Sequence, residues 1–267
     1  RRSFIALFAR ELRRVTLVTA ALSACAFGIA FGALLVTVAS VTPGLPELRE
    51  QSKALAPLRK EGEELNKQLN AMAPTDPARK DQIGKIKENF GKQKPLVEQV
   101  KTMSDKVQFH QEMGGLIGRI ILAVLLIVGL SRVTLLRVFQ IPALIMLPIT
   151  YFMLFKDGGE TFLFAYGVCG LLVVAQFSYF GEYLPKVFPT HLRGTGGSFA
   201  TNVGGRMIGT SMALVTTNIL APALAGDPTK VLPMHVAQAA GYVAVAMALL
   251  SLIIGLFLPE PKEQALD

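Results

Sequence analysis

Tyr179–Arg206, YFGEYLPKVFPTHLRGTGGSFATNVGGR, joins two long apolar runs and decides how the rest of the chain is read. Its charges, Glu182, Lys186, Arg193 and Arg206, fall at the turn between the runs and just inside the second one. Pro185 and Pro189 remove backbone donors and restrict the residues before them, so the linker is expected as short broken helix rather than open coil. Gly194, Gly196 and Gly197 strip side-chain bulk from the start of the next helix, which predicts close approach by a neighbouring backbone. Positive charge and tight-packing glycines at one bend imply a membrane chain whose helices rock.

The composition agrees. Of 267 residues, 51% are hydrophobic and only 17% charged, where a soluble domain carries about a quarter charged. Trp is absent, which leaves interfacial anchoring to Tyr. Cys25 and Cys169 both sit inside apolar runs and read as packing residues, not as a disulfide framework. The net charge of +8 is scattered over helix ends instead of gathered on one face, which argues against nucleic acid as a partner.

Six runs can cross a bilayer, which needs ~20 apolar residues each: Val15–Val41, Met113–Leu130, Val138–Phe155, Thr161–Phe180, Thr195–Leu224 and Val236–Leu258. The first is about twice the length of a secretory signal core and reads as a span. The chain opens Arg-Arg without Met, and the expectation is that the start of a longer polypeptide precedes it. Gly28 and Gly32, and again Gly205 and Gly209, are four apart, the spacing that lets spans pack closely. The fold class is therefore all-α: six transmembrane helices with an insertion outside the membrane. The organisation is 1–41 lead-in and first span, 42–112 insertion, 113–258 the other five spans, and 259–267 tail.

The insertion is polar and nearly balanced in sign. Leu55, Leu58, Leu65, Leu69 and Met72 follow helical spacing, as do Val97, Val100, Met103 and Val107, with the Pro74–Pro77 turn between them. This pattern reads as an antiparallel helical hairpin, Ile83, Ile86 and Phe90 adding to its seam. Pro57, Gly62, Gly84, Gly91 and Pro95 weaken such helices, which keeps a flexible connector as the alternative. Lys and Arg set the orientation. Arg1, Arg2, Arg10, Arg13, Arg14, Arg132, Arg137, Lys186, Arg193 and Lys262 fall on one side, against Lys156 and Lys230 in the short loops of the other. Both termini are expected in the cytoplasm and the insertion outside it, in a bacterial inner membrane.

YLPKVFPTHLRGTG followed by N-x-G-G-R resembles the loop between the tenth and eleventh helices of the major facilitator superfamily. Tyr183, Leu184, Phe188, Pro189, Thr190, Arg193, Gly194 and 202–206 match its pattern; Lys186 and His191 depart from it. The LPEPK tail resembles the ending after that family's last helix. The resemblance covers nearly everything outside 42–112. It implies the C-terminal six-helix half of a twelve-helix permease, with an insertion between helices seven and eight. Its partners would be an N-terminal half, a small-molecule solute, a coupling proton or sodium ion for a symporter, and the lipid bilayer.

Arg119 is a charge inside a span; it either attracts an anionic group or pairs across to the other half, or it snorkels to the outer interface. The resemblance makes Tyr166, Gln176 and Tyr179, on the cavity-lining helix, candidates to bond substrate beside Arg119; interfacial anchoring and helix–helix bonding are the plainer uses. Arg132, Arg137, Glu182, Lys186, Arg193, Asn202 and Arg206 are candidates for a cytoplasmic gate. The family pairs an acidic residue here with arginines of the loop between helices eight and nine. Lys186 cannot do this, so Glu182 is expected to. No Asp or Glu lies deep in a span. His110, His191 and His235 are far apart, no nucleophile–base set is visible, and GTGGS lacks the strand and Lys of a phosphate loop, so neither catalysis, metal nor cofactor is expected. A membrane-anchored receptor or scaffold, with the hairpin binding a protein partner, is the alternative to transport.

Overall fold

The computed structural model describes residues 2–73, 76–259 and 261. Expectations resting on Arg1, on Pro74 and on Lys262 with the rest of the tail lie outside them. A short turn of helix, α1 (Arg2–Ala6), precedes seven longer helices. Six of these are long and apolar enough to cross a membrane: α2 (Arg13–Gly44), α4 (Arg79–Val128), α5 (Arg132–Lys156), α6 (Gly159–Val187), α7 (Thr190–Ala225) and α8 (Pro233–Gly255). The other, α3 (Arg49–Ala71), is amphipathic and polar. The chain is all-helical among the described residues.

Which helices touch, and in which direction, follows from where side-chain bulk is missing. A Cβ on Gly114 or Gly118 would fall on the carbonyls of Gly167 and Leu171, so α4 and α6 run parallel with backbones in near contact. Gly204 and Gly209 meet Ala20 and Ala24 in the same way, setting α7 parallel to α2. Lipid offers no hydrophobic drive between helices, and close packing of this kind is one of the contacts that hold membrane bundles together. Gly28 and Gly32 face Met247 and Val243, and Gln140 meets Ser251 where Gly241 meets Tyr151, so α8 runs antiparallel to both α2 and α5. Arg132 reaches Glu182 while Thr150 reaches Cys169, so α5 and α6 are antiparallel too. Spans in odd and even positions thus run in opposite directions.

The contact pattern repeats itself. The first span packs on the fifth and sixth, the fourth on the second and third, and the third on the sixth. Exchanging the first three spans for the last three returns these five contacts with every direction reversed, although the fifth and sixth spans also touch where the second and third barely do. In the middle lie α2 and α6, the most buried spans; α4 and α7 flank them and are the most exposed. One end of the bundle gathers Arg14 (Nε donates to Phe257 O, 3.1 Å), the Gly129–Arg132 turn and the 188–193 bend. At the other end Lys106 pairs with Glu160 and the Glu47 carboxylate accepts from the Gly159 N–H.

Helix α4 is continuous for 50 residues, and its first part lies antiparallel to α3. Gln82 Nε2 donates to Leu65 O (3.0 Å) and Gln68 Oε1 (2.9 Å); Asn89 Nδ2 to Glu61 Oε2 (2.9 Å); Gln93 Nε2 to Leu58 O (3.1 Å). Here the structure corrects the expected seam. On α3 it runs through Leu55, Leu58, Gly62, Leu65, Leu69 and Met72, as the apolar spacing predicts. On α4 it runs through Gln82, Ile86, Asn89, Gln93, Leu96, Val100, Met103 and Val107, alternating four and three residues. Ile83, Phe90 and Val97 are exposed, Phe90 by 68%. The phase is fixed by Val100, Met103 and Val107; carried upward at 3.5 residues it selects the amides, which find partners on α3. Both helices remain continuous through Pro57 and Pro95, which are exposed.

Candidate functional site

The basic end of the bundle is built on one tight turn and one bend. Gly129 closes α4 with φ +82°, a conformation only glycine adopts without strain. Ser131 then caps α5, its hydroxyl accepting from the Thr134 N–H at 3.1 Å, which sets Arg132 at the helix N-terminus. Arg132 Nη2 lies 3.0 Å from Glu182 Oε1, both side chains 22% exposed, and Lys186 one turn on reaches the same oxygen. Arg132 at a helix start and Glu182 near a helix end each oppose the local dipole, and pairing offsets both. Glu182 Oε2 is buried and accepts no hydrogen bond among the described residues. Arg137 is half-buried and forms no ion pair among them.

Beyond Glu182, Pro185 stands within α6, which continues to Val187; the break comes at Phe188 and Pro189, both extended, before the single turn Thr190–Leu192. Phe188 is fully buried, and a Cβ on Gly196 would strike its ring at 2.6 Å. The Arg193 guanidinium donates to Phe188 O (3.4 Å). The three-glycine expectation is corrected: Gly194 and Gly197 have nothing within 4 Å, and Gly196 makes room for a ring, not a backbone. Nearby, Tyr179 stacks on Tyr183, whose hydroxyl donates to Pro259 O and straps the end of α8 across the bundle.

The cavity candidates divide between inside and outside. Tyr166 is fully buried, its hydroxyl 2.7 Å from Leu34 O and 2.8 Å from Gln111 Oε1. Leu34 belongs to a π-helical stretch of α2, Ala30–Leu35, in which Gly32 O likewise accepts from Thr216 of α7 (2.6 Å). Helix α2 thus offers carbonyls sideways to its neighbours. Gln176 and Tyr179 are buried as well. Gln176 Nε2 donates back to Leu172 O (3.1 Å), the helix-internal use. Arg119, Asn202 and Arg206 point away from the bundle on the exposed faces of α4 and α7, Arg206 beside Met207 and Ile208.

One polar group escapes a reading by motif. Gln140 on α5 is 1% exposed and donates to Ser251 Oγ (2.8 Å) and Ser251 O (3.1 Å) on α8. With Gln176 and Ser251 it lines a crevice closed by Ile29, Ala143 and Ala248. Both glutamine Oε1 atoms are buried without a hydrogen-bond partner among the described residues. A single amide inside the apolar run VFQIPALI was the available signal. The crevice leaves no room for a water molecule, so the node braces α5 on α8; among the described residues no three His, Cys, Asp or Glu stand together to hold a metal. No family model, no curated protein and no solved structure matches this chain.

Proposed function

We propose that the chain is one six-helix lobe of a secondary transporter of the major facilitator type, moving a small solute by alternating access between this lobe and an N-terminal one. The observation that carries the reading is the self-mapping contact pattern: three spans and their inverted copy, with close pairs α4–α6 and α2–α7 running oppositely. Inverted repeats around a midplane site are how such carriers present one face alternately to each side. Helices α4 and α7, barely covered here, then supply the face toward the second lobe, with Arg119, Asn202 and Arg206 on it. Burial makes Tyr166, Gln176 and Tyr179 braces of this lobe, reached by solute only where that face opens. The Arg132–Glu182–Lys186 cluster and Arg193 lie at the cytoplasmic mouth and hold it shut in one state. The basic end faces the cytoplasm of a bacterial inner membrane, and residues 42–112 stand on the other side.

Impermeant thiol labelling tests the placement without background, because Cys25 and Cys169 are both buried. Cysteines placed at His191 and at Lys87 react from the inside and the outside respectively; the reverse overturns the orientation. Uptake into proteoliposomes by this lobe joined to its upstream half, against a panel of acids, sugars and peptides, tests transport. A correctly oriented complex that moves none of them and binds a protein through residues 42–112 makes the receptor reading the right one.

A further inference from the structure

The exposed side of α4 carries a repeat that the seam does not use. The sequence from Lys80 reads KDQIGKI, KENFGKQ, KPLVEQV, K: Lys80, Lys87, Lys94 and Lys101 recur at seven residues, as do Ile83, Phe90 and Val97. All seven side chains are exposed. Lys85 and Lys92, by contrast, are bound to Asp81 (3.0 Å) and Glu88 (2.8 Å); none of the four repeating lysines is in an ion pair among the described residues. Gly84 and Gly91 follow the apolar residues and raise no side chain beside them, with nothing within 4 Å of a Cβ there. In the heptad set by the seam, the apolar row flanks the α3 contact and the lysine row lies next to it, facing water.

We infer that this face docks a third helix, an acidic amphipathic segment of another protein, with apolar residues against Ile83, Phe90 and Val97 and carboxylates toward the lysine row. A seven-residue repeat, roughly 10 Å along the axis, is the period of a helix lying alongside another. The charge excludes a second copy through the same face, since lysine would meet lysine. A lipid surface fits poorly: Lys80 to Lys101 spans about 30 Å of a helix that continues into the fourth helix's own bilayer-crossing part, so a membrane plane meets one end of the row only. The inference needs residues 79–107 to stand in water, as their charge requires, and does not rest on transport.

The test uses the full chain in detergent and a fluorescent synthetic peptide of four heptads, Leu at both core positions and Glu at the flanking ones. The peptide binds at low salt, and a twin with Lys for Glu does not. Phe90→Ser, and separately the joint change of Lys80, Lys87, Lys94 and Lys101 to Gln, each weaken binding about tenfold or more. Lys85→Gln with Lys92→Gln leaves it within twofold. Far-UV circular dichroism of each variant confirms that the helices persist. Equal binding of both peptides, binding insensitive to Phe90→Ser, or equally tight binding of heparin that ignores Phe90→Ser overturns the proposal. So does self-association of the chain alone that Phe90→Ser abolishes, which would assign the face to a second copy.

Discussion

Helix α4 is gripped in opposite ways at its two ends. Near its C-terminal end Gly114 and Gly118 let it lie against the backbone of α6; the side-chain bonds between the two, Tyr166 to Gln111 and Lys106 to Glu160, come before Gly114, and none follows it among the described residues. Near its N-terminal end the contact with α3 is made by Gln82, Asn89 and Gln93, whose amides reach carbonyls and a carboxylate. In lipid, burying a methyl gains little, and close fit with interhelical hydrogen bonds holds helices together. In water, apolar burial is favourable anywhere along the helix, so polar partners at fixed positions select one register from several. Placed in a bilayer as proposed, the same helix obeys two solvents.

The hardest blow to that contrast is a leucine at Gly118. Its side chain would land on the Leu171 carbonyl, which is backbone and cannot turn aside. Overpacking costs about 1–3 kcal/mol when side chains can move, and we expect at least the upper figure. The check is thermal unfolding in detergent. At the other end Gly91 has open space around it, and Gly91→Ala raises arm stability by roughly 0.5–1 kcal/mol through helix propensity. If both glycines respond alike, the two ends are not built differently.

A finer comparison sets two neighbours against each other. Asn89, 4% exposed, donates to Glu61 and accepts from Gln93; Asn89→Ala costs about 1–2 kcal/mol of arm stability. Phe90, large and apolar but exposed, changes it by less than about 0.5 kcal/mol when cut to Ala. Hydrogen exchange of the 79–107 amides reads both. The ranking inverts what hydrophobicity alone would give.

That inversion marks what could be read from the sequence. Six apolar runs and the bend between the fourth and fifth announce the spans, because length and hydropathy are properties of the run itself. The α3 side of the seam was equally plain, since its leucines sit in one phase only. On α4 two stripes share the seven-residue period: Ile86, Val100, Met103 and Val107 lie on the seam as expected, while Ile83, Phe90 and Val97 give way to the amides. Choosing correctly needed the partner, because an amide is buried only where something meets it. The glycines teach likewise: Gly194 and Gly197 stand out by clustering, whereas Gly114, Gly118 and Gly204 matter through the backbones facing them, as does Gly209, whose spacing from Gly205 pointed to close packing. The Glu182–Arg132 pair was within reach only through the resemblance of the bend to a known loop, which implies an acid here pairing with an arginine of the turn before α5. Gln140, a lone amide in an apolar run, carried its signal openly and matched no motif.

At the basic end of the bundle the effects shrink. Glu182→Gln removes the charge that Arg132 and Lys186 share. With side chains partly wet, the loss is about 1 kcal/mol of lobe stability. Raising salt reproduces part of it, because these charges are screened and the glycine contacts are not. On the carrier reading proposed above, the same change shifts the balance between inward- and outward-open forms, read by labelling at position 191. An unchanged balance removes Glu182 from the proposed gate.

The smallest effect belongs to the largely exposed loop between α7 and α8. Asp227 Oδ1 accepts from the Thr229 N–H (2.9 Å) and hydroxyl (2.8 Å), with Lys230 Nζ 3.4 Å from its other oxygen. These contacts, the backbone donor foremost, hold its carboxyl below the ordinary 3.8. A depressed carboxyl stabilises its turn above that value, and the support is lost as pH falls through the lower, folded one. A carbon-13 titration of Asp227 therefore has its midpoint under 3.8. Thr229→Val deletes the hydroxyl and keeps the amide, so the midpoint climbs only part of the way back. A full return would give the side chain the leading role, and the loop would then be held as the α3–α4 arm is, by side-chain partners, and not by backbone as in the glycine-packed core.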